Sequence, residues 1–146
     1  MLAHERFDMQ IFDLIFDRTA GDVSRGTDKG FYRHGDLNRV RAAVLDLRER
    51  LSAAGYLLPP VSPLTEWHEN DVPRRSGIEE LLRAVRLFDG IFAGVRPSSG
   101  FPASADSLDW RGANAVEEFL YRLGRTEEAV EDGWAYCGEV NAGEVY

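Results

Sequence analysis

The sequence is short of the residues that cross-linked and reactive proteins rely on. It has one cysteine, Cys137, so no intramolecular disulfide can brace the fold. Lysine is nearly absent: apart from Lys29, every basic residue is arginine, an excess read as genomic base composition although arginine also suits carboxylate pairing. No apolar run approaches the roughly 20 residues of a membrane helix. The start, Met1–Asp8, has no cationic run leading into an apolar stretch, so it does not read as a secretory signal. Positive charge is in deficit as well, with 17 Lys and Arg against 25 Asp and Glu, a net −8 at pH 7. Nucleic acid and a bare anionic membrane would both be repelled by that surface.

What is present is enough for one folded domain: 146 residues, of which 44% are hydrophobic and 29% charged. No linker divides the chain, so residues 1–146 are read as a single domain with residues 1–8 as a flexible or partner-bound N-terminal extension.

Hydrophobic spacing lays out the elements. Met9–Arg18 alternates with period two and reads as a strand. Thr19, with Asp22 three residues later, has the form of a capping box for a short helical turn over Ala20–Ser24. Leu37, Val40, Val44, Leu47 and Leu51 recur at three- and four-residue steps behind Asp36 as cap, with Gly55 placed to close that helix. Tyr56-Leu57-Leu58 begins a short strand that Pro59, Pro60 and Pro63 curtail. Ser76 and Glu79 form a second capping-box pattern ahead of Ile78, Leu81, Leu82, Val85, Phe88 and Phe92, in a helix that Gly94 stops. After a loop over Val95–Ser107, a third helix runs from Asp109 to Tyr136 along Ala113, Val116, Leu120, Leu123, Val130 and Trp134, with Glu127 at one seam position. Cys137–Tyr146 reads as a C-terminal strand or hairpin. The expected fold class is therefore mainly α with a small β element (α+β). Three amphipathic helices would pack with a small sheet made by the N- and C-terminal strands.

No chemical signature stands out. Glu66, His68, Glu69 and Asp71 have neither the HExxH spacing of a zinc helix nor the glycine and terminal acid of a calcium loop. Cys137 has no neighbouring histidine, no Gly-x-Ser-x-Gly elbow occurs, and Gly26, Gly30 and Gly35 lack P-loop spacing. Nothing in the spacing of the acids selects a pair for glycoside cleavage. No catalytic, metal or cofactor residue is nominated, and no cofactor is expected. Trp67, in an extended acidic segment, is the aromatic best placed for a protein or carbohydrate contact.

Several stretches, taken in order, carry a resemblance. They are Asp17-Arg18-Thr19 with Asp22-Val23, Thr27-Asp28-Lys29-Gly30-Phe31-Tyr32, Asp36-Leu37-Asn38-Arg39-Val40, Glu66-Trp67, Asp71-Val72-Pro73, Leu108 through Glu117, and Tyr136-Cys137-Gly138-Glu139. Together, from Phe12 to Glu144, they resemble a family of small proteins and domains encoded among tail and appendage genes of bacteriophages and prophages, mostly of Gram-positive bacteria. Two places depart from the pattern: the three prolines within Tyr56–Thr65, and glycine at Gly77, which lowers helix propensity there by up to about 1 kcal/mol.

The resemblance implies a non-enzymatic virion component, a tail, baseplate or fibre-associated adaptor made in the host bacterial cytoplasm. Its partners would be other tail proteins and further copies of itself, with terminal strands available to extend a neighbour's sheet. Asp17, Arg18, Asp36 and Arg39 lie at element ends, where caps and Arg–carboxylate pairs fix how elements meet. Asn114 sits among Gly112, Ala113 and Ala115, where another backbone can come close. These five and Trp67 are the candidate junction or partner-surface residues. The rival readings are a binding module for host-surface glycans built on Trp67, and a hydrolase of cell-wall material.

Overall fold

Leu37, Val40, Val44, Leu47 and Leu51, the apolar stripe of the clearest helix, are all at most 2% exposed and form the spine of the core. The computed structural model describes residues 14–27 and 34–143. Among these it has four α-helices: α1 (Ala20–Arg25), α2 (His34–Ala53), α3 (Arg75–Arg86) and α4 (Trp110–Gly143), with a 3-10 turn at Ala105–Ser107. The helices α2, α3 and α4 contact one another pairwise. Leu81, Leu82, Ala84 and Val85 of α3 and Val116, Phe119, Leu120 and Leu123 of α4 complete the core, joined by Phe88, Trp67 and Leu14.

Local chemistry accounts for most boundaries. Thr19 and Asp22 form the expected capping box: the Thr19 hydroxyl accepts the Asp22 N–H at 3.1 Å, and the Asp22 carboxylate accepts the Thr19 N–H at 2.9 Å. Gly26, at φ 67°, ends α1 in the left-handed conformation. Gly55, at φ 97°, closes α2, with its N–H and that of Tyr56 donating back to Ser52 and Leu51.

The structure corrects the α+β expectation, because the described residues contain no strand. Leu14–Thr19 has no strand partner among the described residues; Ile15 and Arg18 give their N–H groups to side chains of α4 instead. The remainder of the proposed N-terminal strand, Met9–Asp13, lies outside the described residues, as does the Asp28–Arg33 stretch. The proposed C-terminal strand is replaced by helix, since α4 continues through Cys137 to Gly143, and only Glu144–Tyr146 fall outside the description. A helix already several turns long extends by one hydrogen bond per added residue, so modest breakers at Gly133 and Gly138 do not stop it. Tyr56–Leu58 forms neither strand nor helix.

Smaller shifts have equally local causes. The second capping box does not form: α3 starts behind Arg74 with no side-chain cap, and Glu79 instead accepts the Ala105 N–H at 2.7 Å, tying the 3-10 turn to α3. That helix ends at Arg86, and turns carry the chain through Phe88 and Ile91 to Gly94.

Candidate functional site

The distinctive polar residues converge where the extended Leu14–Thr19 segment crosses the first turns of α2 and α4. Two of them, Asp36 and Arg39, sit three apart on α2, and Asn114 and Glu117 sit three apart on α4, so each pair shares a helix face. Arg18 comes in from the extended segment and is 4% exposed; Glu117 is fully buried.

Glu117 is the hub. Arg39 donates to it through Nε to Oε1 at 2.7 Å and Nη2 to Oε2 at 3.1 Å. Arg18 donates Nη2 to Oε2 at 2.7 Å, and the Ile15 N–H reaches Oε1 at 3.1 Å. Asp36 closes the ring, accepting from Arg39 at 2.7 Å and lying 3.5 Å from Arg18 Nη2. Among the described residues, two guanidinium groups thus face two carboxylates. Burial pulls the Arg39 guanidinium towards neutrality, but the hydrogen bonds and charges of Glu117 and Asp36 outweigh it and hold this group above the ordinary arginine range.

Asn114 fastens the backbone of the same segment. Its Oδ1 accepts the Arg18 N–H at 3.1 Å and its Nδ2 donates to the Arg18 carbonyl at 2.9 Å, so one side chain does the work of a strand neighbour. Asn38 repeats the device on α2: it accepts the Trp67 N–H at 2.9 Å and donates to the Trp67 carbonyl at 2.7 Å. Trp67 itself is only 4% exposed, packed so close to α3 that a Cβ on Gly77 would lie 3.0 Å from its Cζ2. Burial on this scale removes the open ring face on which a Trp67-based glycan site depends.

A second ionic knot lies further along the same two helices. Arg50 of α2 donates Nε to Glu127 at 2.9 Å and Nη2 to Glu131, both on α4. Burial raises the Glu127 carboxyl above its usual range, with the Glu131 charge adding to the rise and Arg50 opposing it. With Arg39 at Glu117 and Arg50 at Glu127, residue numbers climb together, so α2 and α4 run parallel and α4 continues past the end of α2.

Of the residues nominated from sequence, Arg18, Asp36, Arg39 and Asn114 come together. Asp17 is exposed beside them, and Trp67 occupies a separate junction. Glu117 and Asn38 were not singled out, although both lie within the quoted motifs; the three-residue step from Asn114 to Glu117 was the available signal. Among the described residues, surface cavities of about 410, 580 and 120 Å³ are lined by other residues than the Glu117 cluster. Among the described residues, no group of three or more His, Cys, Asp or Glu side chains is placed to hold a metal ion. In the same part, no helix is long and apolar enough to cross a membrane. Compared with known proteins, the chain matches no family model, no curated sequence and no solved structure.

Proposed function

We propose that this chain is a non-enzymatic structural or adaptor protein of a bacteriophage virion, part of the tail or its appendages, that works by self-association and docking to other tail proteins. One observation carries the reading: among the described residues, polar side chains of the phage-like motifs bond to one another across elements. Arg18, Asp36, Arg39, Asn114 and Glu117 pin an extended segment onto two helices, and Asn38 pins another. Side chains bonded in this way tie separate elements together, which is what a junction requires. Docking by strand addition no longer has a described strand to work with, so helix faces and grooves are the surfaces to consider.

The test is proteomic. Virions purified through a density gradient are expected to contain this chain in fixed ratio to tail proteins. Its absence from intact particles that carry a full tail overturns the reading.

A further inference from the structure

The α2–α4 seam ends in an open groove. Leu51 and Leu123 are fully buried; just beyond them Ala54, Gly55, Tyr56, Phe92 and Val130, with Glu127 and Glu131, enclose about 410 Å³. The Tyr56 and Phe92 rings meet edge to face with centroids 5.6 Å apart. Leu57, the next residue after Tyr56, is 96% exposed, the most exposed large apolar side chain among the described residues. Apolar surface left open at the end of a packed seam is the usual mark of a contact site.

Charge says what kind of contact. Among the described residues Glu127 and Glu131 share the guanidinium of Arg50, two carboxylates to one cation, and the Glu131 side chain is 53% exposed. A cationic group entering here meets that carboxylate, two aromatic rings and an apolar wall, the combination that suits a guanidinium on an aliphatic stem. A second copy docked groove to groove would set Glu127 and Glu131 against their own counterparts, acid to acid. Meanwhile the backbone of α4 runs on to Gly143, past the end of α2.

We propose that this groove docks a helix of a partner protein that presents an arginine beside apolar side chains. The arginine pairs with Glu131, its stem lies against Val130 and Tyr56, and the neighbouring apolar residues cover Leu57. The groove's chemistry stands apart from the virion assignment, and either can fail alone.

The probe is a fluorescently labelled amphipathic helical peptide of leucine, alanine and arginine, with a twin carrying glutamate in place of arginine. Both are titrated into the full chain by anisotropy, and the contact is mapped by amide chemical shifts. The arginine peptide is expected to bind saturably and to shift Gly55, Tyr56, Phe92 and Glu131, while the glutamate twin does not. Glu131→Gln and Leu57→Ser alter exposed side chains and should each weaken binding about threefold or more. Equal binding of the twin, shifts confined to other acidic surface, or unchanged affinity in both variants overturns the proposal. A dimer of the chain that Leu57→Ser abolishes also overturns it, in favour of a second copy as occupant.

Discussion

Arg39 and Glu117, 78 residues apart in the chain, meet as a two-pronged pair: Nε to Oε1 at 2.7 Å and Nη2 to Oε2 at 3.1 Å. Glu117 also receives Arg18 and the Ile15 N–H, so one carboxylate holds an extended segment and two helices in register. Burying such charges costs about as much as their attraction returns, and the contribution of the cluster lies in geometry more than in net stability. Removing one member is another matter, since the rest stay buried and unbalanced.

Glu117→Gln should therefore be among the most damaging single changes. Among the described residues Asp36 would be the one carboxylate left beside Arg18 and Arg39, and breaking a buried pair in this way costs about 3–5 kcal/mol. A melting experiment should record a fall of roughly ten degrees or more. Arg75 and Asp106 provide the contrast, because their side chains are 67% and 65% exposed. Arg75→Ala should change stability by less than about 1 kcal/mol. Equal effects from the two substitutions would show that the Glu117 network does not hold the segment.

The two asparagine clasps should differ in how they tolerate aspartate. Asn38→Asp replaces the Nδ2 donor with an anionic oxygen facing the Trp67 carbonyl, now 2.7 Å away, and should cost about 1–3 kcal/mol. At Asn114 the Arg18 Nη1 lies 3.2 Å from Oδ1, so a carboxylate there gains a cation as it loses its donor bond. Urea midpoints should fall further for Asn38→Asp than for Asn114→Asp, with tryptophan emission reporting the loosening of Trp67. The reverse order would mean that the Arg18 guanidinium does not compensate.

The helices were legible because burial repeats every three or four residues, and Leu37 to Leu51 and Leu81 to Val85 display that period without interruption. The pairing of the extended ends was not. Period-two alternation at Leu14–Arg18 identifies extended backbone, but says nothing of what satisfies its hydrogen bonds; here Glu117 and Asn114 do so, from about 100 residues away. At the other end, Gly138, Asn141 and Gly143 look like turn residues, yet a helix begun at Trp110 runs through them. Glu117 itself was hard to see because a carboxylate on a helix reads as solvated until two distant arginines are known to cover it. The burial of Trp67 is hard to read for a related reason: its acidic neighbours are exposed, while its own burial depends on Asn38 and on the missing side chain at Gly77.

Gly77 gives the third prediction. On propensity alone, Gly77→Ala should stabilise α3 by up to about 1 kcal/mol. The added Cβ would sit 3.0 Å from Trp67 Cζ2 and 3.3 Å from Thr65 Oγ1, and the indole is anchored through its backbone to Asn38. Overpacking of this kind costs about 1–3 kcal/mol, so the net change should be destabilising. Chemical denaturation decides the sign. A stabilised Gly77→Ala protein would mean that the Trp67 ring moves aside at little cost.

The Arg50–Glu127–Glu131 knot should make stability depend on pH. Burial and the nearby Glu131 charge raise the Glu127 carboxyl above its unfolded value, so folding favours its protonated form. A group raised in this sense adds stability below its unfolded pKa, about 4.3, and loses that contribution as pH climbs through the folded value. Glu127→Gln, which cannot titrate, removes the dependence. The stability of the native chain relative to this variant should thus rise as pH falls from about 7 towards 4.5. Urea unfolding at the two pH values measures it, and carboxylates remote from Glu127 cancel in the comparison, while Glu131 titrates with it as part of the knot. A gap that stays constant, or widens in the native chain's disfavour as pH falls, would show that Arg50 outweighs burial and keeps Glu127 at or below its ordinary range.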